Sequence, residues 1–495
     1  MLIGVDAGTT AIKAVAVDES GAVRGLASRG VGISYPKPGW VEQDPEEILA
    51  ALKGVLSELG SQVGRHAVAL GLANQRETVV AWDRRDGRPL GPAIVWQDRR
   101  GLALCRDPKV KLMEAEVRKV TGLYLDPYFS ATKIAWLLQH NPLLQAPEVV
   151  VSTLDAWLAY MLTGPEGQVA FTEPSNASRT LLFNHLSRTW SEELTELFGI
   201  PSSVLPEIRP SVGRFGIVDL GDLGRVPLAA LVGDQQASLF GLGCRDLGAT
   251  KCTYGTGAFV LSCAGASLPE PPGGLLATVA WDLGEQGGLN YALEGSVYDC
   301  GSAVDWACRA LGIASSGAEL AELAGSVSET GGLRFVPALN GLASPWWDPT
   351  ARGVMVGLEP GVGRAQIARS VFEGIAAQVA LICRAMSGAL GAPLAGLVAD
   401  GGVSRADVLL QLQADLCQLE VRRAPHADAT AVGAAELAGI GAGIYHSVGE
   451  VPSQLEPTAK WEPRISKDAA ESRLQAWEDA VQRARNWARD ADVDH

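Results

Sequence analysis

Three glycine turns in the chain have the residue types that hold a phosphate. The first, "DAGTT" (6–10), ends a short apolar run, residues 2–5. Its Gly8, Thr9 and Thr10 offer backbone N–H groups and two hydroxyls, and Lys13 adds a positive charge. Asp6 supplies a carboxylate able to hold a magnesium ion through water. The second turn, "YGTGAF" (254–259), repeats the Gly-Thr pattern around Thr256, and the third, "ADGGVSRAD" (399–407), precedes a helical stretch. A helix N-terminus there could face a ribose or a phosphate. Any one of these turns is also an ordinary turn sequence. Two Gly-Thr turns in separate halves could instead clasp a polyphosphate from opposite sides, and neither fits the GxxxxGK[ST] loop.

A second set suits a small hydroxylated ligand. "NQRE" (74–77) places Arg76 and Glu77 just past an apolar strand. One donates and the other accepts, as vicinal hydroxyls require, although a surface salt bridge has the same sequence. Tyr128 follows a proline turn in "DPYFSATK", and Trp96 ends the strand in "AIVWQDRR"; both residue types also pack cores. In "VPLAALVGDQQ" the apolar run 226–232 stops at Asp234. Asp234 is either a helix N-cap or a general base set in a cleft.

Strand and helix patterns alternate along the chain to position these residues. The first 25 residues read as a β-hairpin, 46–63 as a helix, and 67–73, 77–83 and 92–96 as strands. Helical pattern dominates 106–163. A second hairpin spans "TKCTYGTGAFVLSCAG", and helices are expected over "GSAVDWACRALGI", 364–389, "SRADVLLQLQADL" with a Ser404/Asp407 capping box, "ATAVGAAELAGIGAG" and about 466–490. The 495 residues exceed one ordinary core. The mixture predicts two α/β domains, 1–243 and 244–495, with a cleft between them.

Forty-one basic against 56 acidic side chains give a net charge of −15, which disfavours nucleic acid and anionic membrane as partners. The N-terminus lacks a basic and then apolar leader, and no uninterrupted apolar run has the length of a spanning segment. The eight scattered cysteines match reduced thiols, so a cytoplasmic location is expected.

The ordered motifs "DAGTT", "NQRET", "AIVWQDRR", "TGLYLDPYFSATK", "NASRTLLFN", "GDQQASLFG", "YGTG", "YALEGSV", "PWWDPTARG" and "DGGVSRADVLLQLQAD" resemble those of glycerol kinases. These are FGGY carbohydrate kinases within the actin-like ATPase superfamily. The resemblance runs from residue 2 to about 445. It implies two RNase H-like domains, with ATP and a polyol meeting in the interdomain cleft and the product being sn-glycerol 3-phosphate. It implies that Arg76, Glu77, Tyr128, Asp234 and Gln235 bind glycerol, with Trp96 and Phe259 as aromatic walls and Asp234 as the base. It assigns Thr9, Thr10, Thr256, Gly301 and Gly402 to the nucleotide and Asp6 to Mg2+, in a homodimer or homotetramer.

Four positions on the nucleotide side depart from the family pattern. Lys13 stands where Arg is usual, Ala11 for Ser, Asp305 for Gln and Ala406 for Asn. Lys13 keeps the charge but loses the guanidinium fork. The segment "VDLGDLGRVP" lacks the glycine-rich run that binds a fructose bisphosphate inhibitor in some relatives.

Overall fold

The computed structural model describes residues 1–64, 66–164, 169–270, 273–425, 428–452 and 459–488. Two sheets built to one plan organise it. The first contains β1 (Leu2–Ala7), β2 (Ala11–Val17), β3 (Val23–Gly30), β4 (Ala69–Asn74), β5 (Val212–Asp219) and β6 (Arg225–Gly233), in the spatial order β5-β6-β4-β1-β2-β3. The second contains β7 (Thr250–Tyr254), β8 (Ala258–Gly265), β9 (Leu276–Asp282), β10 (Leu289–Val297), β11 (Leu397–Asp400), β12 (Val421–Arg423) and β13 (Ala459–Trp461), in the order β9-β10-β8-β7-β11-β12-β13.

In each half the first strand forms a hairpin with the next and runs parallel to a later one. β1 pairs antiparallel with β2 and parallel with β4. β7 does the same with β8 and β11. Parallel pairs require long crossovers, and here these carry the helices that cover the sheets.

Local sequence sets the helix ends. α1 (Pro45–Val63) begins with Pro at its first position and the Asp44 carboxylate accepting from the Glu46 N–H; Gly64, at φ 57°, ends it. α2 (Asp234–Gly241) leaves the end of β6, and α3 (Gly301–Leu311) opens just after β10. α4 (Arg364–Leu390) has the length and apolar composition of a membrane span, yet most of it is buried in the core of the second half. α5 (Asp407–Cys417) follows β11.

α6 (Ala429–Gly441) is buried along nearly its whole length, as its all-round Ala/Gly/Val composition requires. It belongs to the second half of the chain but lies on β1 and β4 of the first sheet. A Cβ on Gly4 would sit 1.8 Å from the Ala431 carbonyl oxygen, so only glycine allows this approach. α6 also crosses α2 with backbones nearly touching: a Cβ on Gly433 would lie 1.9 Å from the Ala237 oxygen.

Several expectations are corrected. The helical stretch 106–163 is interrupted by a strand, Val149–Thr153, because "VVVST" is β-branched. That strand joins a small sheet with Val79–Asp83, Ala93–Ile94 and Glu42–Gln43. The strand expected from 77 starts at Val79, since Glu77 has φ 61°. No Ser404/Asp407 capping box forms: residues 402–405 make a 3-10 turn, and the Ser404 hydroxyl donates to the Gly401 carbonyl instead. The last helix spans Lys467–Ala484, shorter than 466–490, and residues 489 and 490 lie outside the described residues.

Candidate active site

β6 is a central strand with a buried apolar interior, and the chain turns directly from it into α2. Gly233, with extended backbone, occupies the N-cap position, so Asp234 is the first residue of the helix and not its cap. Its Oδ1 accepts from the Gln235 N–H at 2.7 Å, and the side chain is 26% exposed. Burial pushes its pKa up, against the lowering pull of the Arg76 guanidinium; the neighbouring Glu77 charge adds to the rise.

Arg76 and Glu77 follow β4 into the same space. Arg76 is 3% exposed. Its Nε lies 3.4 Å from Asp234 Oδ1, and its Nη1 and Nη2 donate to Glu294 at 2.6 and 3.2 Å. Burial opposes its charge, but Glu294 and Glu77 outweigh that and hold the guanidinium firmly protonated. Glu77 is held in the left-handed backbone region, which is uncommon outside glycine. Ser130 Oγ fixes its carbonyl at 3.1 Å, and Arg179 Nε donates to its Oε1 at 2.6 Å. Arg179 is fully buried and also donates to Glu294 Oε1 at 2.9 Å. Asp234, Arg76, Glu294, Arg179 and Glu77 thus alternate in sign along one buried chain. Isolated, any of these charges would be costly; in alternation each has a partner.

Aromatic side chains flank this chain. Tyr128 packs edge-on against Trp96 and Phe129, with ring centroids 5.7 and 5.1 Å away. Burial, with the Glu77 charge next in effect, raises the Tyr128 phenol pKa and keeps it a hydroxyl. Lys133 is fully buried, and its Nζ donates to the carbonyls of Pro127 and Tyr128 at 2.8 and 2.5 Å, pinning the loop that carries Tyr128. Burial lowers its pKa to about 8. Gln235 Oε1 accepts from Lys251 Nζ at 2.5 Å, and Lys251 also donates to Thr253 Oγ1. Phe259 is half-buried and stands opposite Thr253 across the β7–β8 hairpin.

The first glycine turn adjoins this group through Thr9, and the other two turns meet each other. In the first turn Thr10 is exposed, whereas the Thr9 hydroxyl is engaged: it donates to Gln75 Oε1 at 3.1 Å and accepts from Trp96 Nε1 at 2.9 Å. Ala11 is half-buried, and Lys13 pairs with Asp428 at 2.8 Å. Asp6 Oδ1 is buried without a hydrogen-bond partner. Burial and then the Asp234 charge push this carboxyl up to about 7.

On the other side, the Thr256 carbonyl accepts from the N–H groups of Cys300 and Ser302, and the Gly301 N–H donates to the Gly255 carbonyl. The β7–β8 turn therefore rests on the N-terminus of α3. Gly401, at φ 87°, passes so close to Tyr254 that a Cβ would lie 2.4 Å from its oxygen, and this brings the exposed Gly402 to the same turn. Asp305 is exposed one turn into α3, and Ala406 is half-buried just before α5.

The residues expected from sequence thus form two groups. One is built from buried charged and aromatic side chains, the other from backbone at glycine turns. Sequence reasoning missed Arg179, Glu294, Lys133 and Lys251 as members. The available signal was a charged residue inside an apolar segment, as in "YALEGSV" and "TKCTY".

The model for the N-terminal domain of the FGGY family of carbohydrate kinases matches residues 1–241, and the model for its C-terminal domain matches residues 250–442. A glycerol kinase of Thermus brockianus is 46% identical over 499 residues, covering 99% of each chain. The solved structure of the Plasmodium falciparum glycerol kinase with ADP is 32% identical, covers 97% of each chain and superposes with a TM-score of 0.91. The xylulose kinase of Rhodospirillum rubrum, at 24% identity and 97% and 98% coverage, superposes with a TM-score of 0.86, so kinases named for different substrates share the fold. With both of its domains matched in order and a relative 46% identical along its whole length, the chain belongs to the FGGY family of carbohydrate kinases.

Proposed function

We propose that the protein transfers the γ-phosphoryl group of ATP to glycerol, giving sn-glycerol 3-phosphate and ADP. The observation that carries this reading is Asp234: a partly exposed carboxylate with a raised pKa, 3.4 Å from a locked arginine, at the end of a buried strand. Similarity to glycerol kinases along the whole chain supports glycerol as the polyol.

Arg76, Glu77, Tyr128 and Gln235 hold the polyol hydroxyls, and Trp96 and Phe259 shield its carbons. Asp234 takes the proton of one terminal hydroxyl as that oxygen bonds to the γ-phosphorus and the bond to the ADP oxygen breaks. The raised pKa makes Asp234 a stronger base than a solvent-exposed aspartate while leaving it ionised above that pKa. The turns at Thr9–Thr10 and Thr256, with Gly301 and Gly402, take the nucleotide, and Ala11, Lys13, Asp305 and Ala406 border it.

Among the described residues no group of three or more His, Cys, Asp or Glu side chains gathers as a metal cage. The unpartnered Asp6 oxygen fits a magnesium ion shared with phosphates and water, which is the usual setting for that ion. When bound, the ion supplies charge neutralisation on the phosphates. We place the enzyme in the cytoplasm as a homodimer or homotetramer, which light scattering checks.

Coupled ADP detection over a panel of glycerol, erythritol, xylulose and gluconate tests the reading. Glycerol is expected to give the highest kcat/KM, and another polyol ahead of it would overturn the substrate assignment.

A further inference from the structure

Glu294 lies on β10 at a position facing only apolar ladder neighbours, Leu261 on β8 and Leu276 on β9. Its side chain is 1% exposed. A carboxylate in the middle of a sheet is costly unless it is paired, and both of its partners come from the other half of the chain, 218 residues away at Arg76 and 115 at Arg179. The two guanidiniums hold its pKa at about 2 against the raising effect of burial.

Arg76 has three carboxylates within reach. Glu294 takes both terminal nitrogens, at 2.6 and 3.2 Å; Asp234 receives only Nε, at 3.4 Å; Glu77 stands 4.0 Å from Nε. The same Glu294 Oε1 receives Arg179, whose Nε then holds Glu77 at 2.6 Å. We propose that Glu294 is a positioning residue for phosphoryl transfer: from across the seam between the halves it draws Arg76 away from Asp234 and anchors the arginine that sets Glu77.

With this carboxylate absent, Asp234 is the nearest remaining anion for the Arg76 fork, the neutral Gln236 Oε1 accepting only from Nη1 at 3.3 Å. A two-bond Arg76–Asp234 pair would neutralise the base and occupy the place of a substrate hydroxyl. Arg179 would lose one of its two anchors, and two guanidiniums would face each other unshielded. The nucleotide side, built from turns elsewhere, would not change. The inference rests on the polyol-kinase reading of the site and adds to it a residue that does not touch the substrate.

The test is steady-state kinetics of Glu294→Gln and Glu294→Asp, each compared with the wild type on the best polyol of the panel. Glu294→Gln is expected to lower kcat/KM for the polyol by about 100-fold or more, with the KM for ATP unchanged within about twofold. Glu294→Asp, which restores the charge, is expected to recover at least about tenfold of that loss. Should Glu294→Gln not fold, Glu294→Asp alone must lower polyol efficiency at least about fivefold with the ATP constant unmoved. Equal losses toward both substrates, or no loss, would overturn the inference. A wild type inactive on every polyol would instead overturn the functional reading, so the two failures are distinct.

Discussion

Strands β4 and β11 occupy the same place in their sheets, each parallel to the first strand of its half, and the chain continues differently where each ends. β4 ends on Asn74, and Gln75, Arg76 and Glu77 follow, all with buried polar or charged side chains. After β11 come Gly401 and Gly402, which offer only backbone. In the function proposed, the same scaffold holds a polyol by buried charged side chains and a phosphate chain by N–H groups at turns. Small neutral ligands with several hydroxyls need donors and acceptors at defined places. Polyphosphates can be held by backbone dipoles and field.

The largest expected effect falls on the side-chain half. Asp234→Asn should lower kcat by about 10³-fold or more while glycerol still binds, as calorimetry would register; a near-normal turnover would remove Asp234 as the base. Arg76→Lys keeps the charge but cannot bridge Glu294 and Asp234, and should cost about 10²-fold in kcat/KM for glycerol with little change in the KM for ATP.

On the backbone half the contrast is between adjacent glycines. Gly401→Ala forces a Cβ against the Tyr254 carbonyl at a positive φ and should destabilise by roughly 2–3 kcal/mol and raise the KM for ATP. Gly402→Ala meets nothing within 4 Å and should leave unfolding within about 0.5 kcal/mol of the wild type, so that any rise in the KM for ATP reports contact with the nucleotide. Denaturant melts and ATP titrations of the pair would sharpen the comparison or, if both behave alike, break it.

The smallest effect at neutral pH lies at the seam. His185 is 2% exposed, donates from Nε2 to the Thr121 carbonyl at 2.9 Å and packs against Tyr291 of the other half. Burial lowers its pKa to about 4. Between that value and the ordinary 6.5 the unfolded chain binds a proton that the folded one does not, so stability falls as pH drops through this window. The loss should approach roughly 3 kcal/mol by pH 4 and vanish at pH 7. Urea melts of the wild type and His185→Gln across that range should show the variant losing less on acidification.

The hairpins, their Gly-Thr turns and the carboxylate closing β6 were legible because each is local: an apolar run, a turn signature, a charge where the run stops. Arg179 and Glu294 were not, because a charged residue inside a strand has meaning only once its partner is known, and that partner is far away in sequence. Lys133 was hidden for another reason: its acceptors, the Pro127 and Tyr128 carbonyls, lie close in sequence but carry no side-chain signature. Ser404 misled for a different reason. Its spacing to Asp407 suits a capping box, but the tight turn after Gly401 gave the hydroxyl a nearer acceptor. For Asp234, Gly233 fills the cap position, which removes the N-cap alternative.

The lid that α6 forms over β1 and β4 also governs the order in which this molecule can be completed. The first strand of the chain leaves the ribosome some 420 residues before the helix that covers it, so the opening sheet waits with an apolar face bare while nearly all the rest is synthesised. Contacts of such span slow folding and leave surface open to association meanwhile. A fragment ending at residue 243 would keep that exposed face permanently, with its glycines shaped for a helix that never arrives. The two halves, alike in plan, are therefore unequal in independence: the first sheet is finished by a helix from late in the second half.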